Sequence, residues 1–93
     1  MQVRYYNEPG SGQPHIYGHN VAEYEVEAVL DHPMEDRPGE GGARIALGQT
    51  DAGRYLRVVY VPDPIPNSVF VITAYELGPK AKRALRRRRK RSP

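Results

Sequence analysis

Cysteine is absent from the 93 residues, which excludes disulfide scaffolds, Cys-based zinc sites and thiol catalysis. Tryptophan is absent too, and phenylalanine occurs once against seven tyrosines. So polar an aromatic set suits a wet binding surface as well as a small core. No apolar run is long enough to span a bilayer, and the N-terminus lacks the charged, apolar and small-residue blocks of a secretion signal. A cytoplasmic protein with no membrane partner is therefore expected. A chain of 93 residues fits one domain that buries roughly two-thirds of its unfolded surface, not two domains around a deep cleft.

Charge is present but unevenly placed. Residues 80–93 hold nine cations and no acid. The preceding 79 residues carry five cations against all eleven acids, a balance of −6. An acidic body with a basic end points to a polyanionic partner and says nothing about fold. The division expected is one α+β domain over 1–79 and a basic helix or tail over 80–93.

Hydrophobic periodicity gives the elements. Gln2 to Tyr6 is rich in β-formers and reads as a short N-terminal edge strand. Asn7 to Pro14 contains Gly, Pro and Ser breakers and reads as a loop. Within Val21–Leu30, Ala22, Val26, Val29 and Leu30 share one face at helical spacing. Asn20 with Glu23 three residues on resembles a capping box, and Pro33 stops the helix. Residues 33–43, with two prolines and three glycines, read as a mobile loop. Three β-like runs follow at Arg44–Gln49, Tyr55–Val61 and Val69–Tyr75. Gly53 closes a short turn between the first two, and the prolines of 62–67 make that stretch a connection. From Pro79 the chain reads as helix, with Ala81, Ala84 and Leu85 to bury. The prediction is a small antiparallel sheet, a three-strand meander plus the N-terminal edge strand, packed against one N-terminal helix. Cation repulsion at i,i+4 is expected to fray the end of the second helix.

Several of these segments follow a known pattern. His19-Asn20-Val21, then Glu23, Glu25, Val26, Val29, Leu30 and Asp31-His32-Pro33, resembles H-G-V-x-x-x-E-A-x-x-V-F-x-D-P. Ile45 to Tyr60 resembles the hairpin I-A-L-G-x-(S/T)-x-x-G-R-x-L-x-V-V-Y, and Ile72-Thr73-Ala74-Tyr75 resembles the strand end I-S-A-R. All three patterns belong to the BrnT family of small bacterial toxins, related to the RelE/ParE superfamily, which the chain resembles. The likeness spans about residues 19 to 77. Gly18 stands where that family usually has Lys, Ala43 and Tyr75 where it has Arg, and Glu76 where Lys is common. A related group of uncharacterised small domains ends its last strand in a similar Ile-Thr-x-Tyr. The resemblance implies a compact α+β toxin of a type II toxin–antitoxin pair, a ribonuclease that inhibits translation without a metal or other cofactor, and a cognate antitoxin. It leaves gyrase inhibition and self-association open. The alternative is a non-catalytic module of the same fold that binds nucleic acid, the ribosome or a partner protein.

Metal-free RNA cleavage needs a base for the 2′-OH, a cation for the phosphorane and an acid for the leaving oxygen. Histidine is the best proton carrier at neutral pH, and of His15, His19 and His32 the resemblance supports His19. A plain capping or surface role fits His19 as well. With Arg54 and Tyr75 it forms the expected catalytic set. His15 and His19 have two-His metal spacing only on a helix; Pro14 and Gly18 argue against one, so no metal site is expected. Arg44, Arg57 and Tyr60 are candidate RNA contacts on the sheet, although solvated strand charge and edge packing explain them equally. Lys82, Arg83, Arg86, Arg87, Arg88, Arg89, Lys90 and Arg91 are the candidate phosphate contacts of the basic end.

Overall fold

A computed structural model describes residues 1–91, with Arg91 described in its backbone alone. The elements are β1 (Gln2–Tyr5), a 3₁₀ turn (His15–His19), α1 (Glu23–Asp31), β2 (Glu35–Pro38), β3 (Arg44–Gln49), β4 (Tyr55–Pro62), β5 (Ser68–Glu76) and α2 (Pro79–Arg91). The α+β class is as expected, but the sheet has five strands in the order β1-β5-β4-β3-β2 and is mixed. The β3–β4–β5 meander is antiparallel, whereas β1 runs parallel to β5, pairing Val3 with Val69 and Tyr5 with Val71. Strand β2 corrects the loop expected over 33–43. It pairs antiparallel with β3, Asp36 opposite Ala46, as an edge strand that can accommodate Pro38 at its end. A tight return follows, with Gly41 and Gly42 at φ 63° and 83°, a region that favours glycine.

One helix lies on each face of the sheet. Val26 and Val29 of α1 pack with Ala46, Leu56, Val58, Val69, Val71 and Ala74, all buried. Gly48 lets the two backbones approach, since a Cβ there would sit 3.0 Å from Val29 Cγ1. On the other face, Leu85 of α2 is fully buried in a second cluster with Leu47 and Leu77.

Two local expectations need correction. Asn20 does not cap α1; with φ 58° and ψ 41° it ends the 3₁₀ turn, a left-handed position that Asn tolerates. Helix α1 starts two residues later than expected, where Glu25 Oε1 accepts the Ala22 N–H at 3.0 Å. The basic end is a docked helix through Arg91. Arg88 makes a two-point contact with Glu35 at 2.7 and 3.0 Å, and Arg89 donates to the Met34 carbonyl at 3.2 Å. These contacts oppose the cation repulsion along the helix. No helix of the described residues is long and apolar enough to cross a membrane.

Candidate functional site

The site grows from the free half of β5. Strand β1 pairs with β5 only as far as Val71. Beyond it, Tyr6 donates to the Val71 carbonyl at 2.9 Å and the chain leaves the sheet in the loop closed by the Asn7–Pro14 bridge. It returns with the His15 N–H on the Tyr6 carbonyl at 2.8 Å. The 3₁₀ turn thereby fills the place beside residues 72–76 that β1 vacates, with Ile16 buried beneath it.

A chain of side chains results. The Glu8 carboxylate accepts from His15 Nδ1. His15 and His19 bring their Nε2 atoms to 3.2 Å. The His19 ring in turn lies 5.9 Å, centroid to centroid, from Tyr75. With its Nδ1–H given to Glu8, a neutral His15 carries no proton on Nε2, the nitrogen that faces His19 Nε2. His19 is exposed, so its ring is accessible to a substrate, while Glu8 and His15 orient it.

Arg57 stands directly opposite Tyr75 in the β4–β5 ladder, which places both side chains on one face with Cβ atoms about 4.5–5.5 Å apart. No carboxylate pairs with Arg57 among the described residues. It borders a groove of about 570 Å³ between the sheet and α2, floored by Leu47, Leu77 and Ala84 and edged by Lys80.

Arg54 has a different position. Its guanidinium donates to Glu25 at 3.0 and 3.2 Å, to Glu76 at 3.1 Å and to the Asn20 carbonyl at 2.8 Å. These partners directly follow Tyr75 and His19 or belong to α1. Arg54 therefore clamps the site together, and two carboxylates neutralise the charge expected to face substrate. Arg44 is likewise paired with Asp36 at 2.8 Å. Tyr60 is buried, its hydroxyl on Asp36; burial first and that carboxylate second push the phenol above its usual value. Neither is placed as a free RNA contact.

Along α2 the cations divide into two sets. Arg88 and Arg89 hold the helix to β2. Arg83, Arg86, Arg87 and Lys90 recur at helical spacing and line one outer surface. Lys82 lies over the Tyr55 ring, 5.2 Å from its centroid. Lys82, Arg83 and Arg86 also border a hollow lined by Glu76 and Leu77, where β5 ends and α2 begins. The Arg91 side chain lies outside the described residues.

Of the expected catalytic set, His19 and Tyr75 lie near each other and Arg54 is taken up by carboxylates. Sequence reasoning missed Glu8 and the helical turn joining His15 to His19. The i,i+4 histidine spacing is the available signal, although Gly18 and Pro14 argue against a helix there. That proline instead occupies the N-cap of the turn, at φ −54°.

The chain is thus a small α+β domain with an imidazole–phenol pair at the end of β5 and a cationic C-terminal helix. The family described as Domain of unknown function (DUF4258) matches residues 18–76, and the chain belongs to it. No curated protein and no solved structure matches the chain.

Proposed function

We propose that the chain is a toxin-type endoribonuclease that cleaves RNA without a metal, acting in the cytoplasm and held in check by an antitoxin protein. The observation that carries this reading is the Glu8–His15–His19–Tyr75 chain at the end of β5, with Arg57 opposite Tyr75 in the ladder. His19 accepts the 2′-OH proton as that oxygen attacks the adjacent phosphorus. Arg57 stabilises the charge that develops on the phosphorane oxygens. The 5′-oxygen leaves as an alcohol, protonated from the imidazole or the Tyr75 hydroxyl, and a 2′,3′-cyclic phosphate remains. Arg83, Arg86, Arg87 and Lys90 hold the flanking phosphates. The likeness of residues 19–77 to the BrnT pattern supports the same reading, with Arg57 in place of Arg54 as the cation.

A second reading is a non-catalytic module that binds RNA, the ribosome or a partner protein. The neutralised Arg54 favours it, because the cation that the family pattern supplies is closed off by Glu25 and Glu76. Expression without a partner separates the two. A toxin slows bacterial growth, and His19→Ala relieves the effect. Normal growth at confirmed expression of the folded wild-type chain sinks the toxin reading.

A further inference from the structure

We propose that His15 and His19 form a two-imidazole site for a late first-row divalent cation, Zn²⁺ or Cu²⁺. Their Nε2 atoms are 3.2 Å apart, their ring centroids 5.0 Å apart and their planes at 74°. A metal roughly 2.0–2.1 Å from both nitrogens sees them at about 99–106°, close to the tetrahedral angle. The centroid separation is a second check on the same geometry. Extending each metal–nitrogen line by a ring radius of about 1.1 Å sets the centroids about 4.9–5.0 Å apart. Two rings aimed head-on in a linear N–H···N bond of that length would hold them about 5.4 Å apart. The observed 5.0 Å fits rings directed at a common point.

The surroundings suit a ligand pair. Glu8 accepts from His15 Nδ1, which fixes the tautomer that leaves Nε2 as donor to a metal, the carboxylate–histidine–metal order of many sites. The His15 backbone is anchored to Tyr6, and the 3₁₀ turn fixes the spacing to His19. Among the described residues no cluster of three or more His, Cys, Asp or Glu is placed to hold an ion. The remaining positions therefore fall to water or a ligand oxygen, and Cu²⁺ binds more tightly than Zn²⁺. The bound ion takes the His19 Nε2, so it inhibits RNA cleavage wherever the proposed function holds. Binding itself does not depend on that function.

The test titrates the full chain with Zn²⁺ alone, followed by calorimetry and by magnetic resonance of the histidine ring protons. One ion binds per chain, and the His15 and His19 ring signals shift while those of His32 do not. His15→Ala, His19→Ala and Glu8→Gln each weaken binding by roughly 10–100-fold, the range found even for loss of an outer carboxylate. His32→Ala changes nothing. Cu²⁺ gives a paramagnetic resonance spectrum with two coupled imidazole nitrogens. Wild-type ring signals that stay still under Zn²⁺ overturn the proposal, and that readout needs no variant to fold. Wild-type affinity in folded His15→Ala or His19→Ala overturns it as well.

Discussion

Arg54 and Arg57 are three residues apart and have opposite roles. Arg54 is ion-paired to Glu25 and Glu76 with its side chain 22% exposed, whereas Arg57 faces Tyr75 across the ladder. Arg54→Met is expected to lower stability by about 1.5–3 kcal/mol, the range for hydrogen bonds to charged groups. Arg57→Ala is expected to stay within about 0.5 kcal/mol of wild type and to weaken RNA binding instead. Urea unfolding and RNA titration of both variants check this; equal stability losses would contradict the division of roles. The sequence points to Arg54 as the catalytic cation and to Arg57 as an RNA contact, because the acids that neutralise Arg54 lie 29 and 22 residues away and do not show as its partners. The sequence pattern singles out His19, and Tyr75 is singled out where the strand end departs from that pattern. Glu8 was not legible, because it reaches His15 only through the loop that the Asn7–Pro14 bridge closes.

At the scale of elements, α2 depends on one apolar anchor and one ion pair. Leu85→Ala is expected to cost about 2–5 kcal/mol, as for other fully buried leucines, and chemical denaturation measures it. The Arg88 fork holds the Glu35 carboxyl below its ordinary value of 4.5. A carboxyl lowered in the folded state contributes stability that is complete above its unfolded value and lost as pH falls through the folded one. Docking of α2 should therefore weaken in acid below pH 4.5. Glu35→Gln should remove that part of the pH dependence. Amide exchange of the α2 backbone reads both effects, and an unchanged acid profile in Glu35→Gln would contradict them. The meander and both helices were readable from apolar periodicity and turn residues. Strand β2 was not, because Glu-Asp-Arg-Pro has no apolar alternation and forms a strand only by pairing with β3. The parallel pairing of β1 is a long-range contact that its four residues do not encode locally.

For the whole molecule, the sequence declared an acidic body with a basic end, and the fold decides which cations remain outward. Arg88 and Arg89 are taken up by docking, and Arg83, Arg86, Arg87 and Lys90 form the outer stripe. Changing those four to Gln should reduce the log–log salt slope of single-stranded RNA binding by about 0.7 for each phosphate no longer neutralised. An unchanged slope would mean that RNA lies elsewhere. The proposed function requires that RNA held by this stripe reach His19. The most direct measurement is cleavage of a short RNA by the purified chain with chelator present, beside His19→Ala, with circular dichroism as the folding control. The wild type is expected to cut, leaving 2′,3′-cyclic phosphate and 5′-hydroxyl ends, and His19→Ala to lose about 10²–10⁴-fold in rate. A wild type that binds RNA but does not cut it, or a His19→Ala variant that cuts at the wild-type rate, would contradict the account.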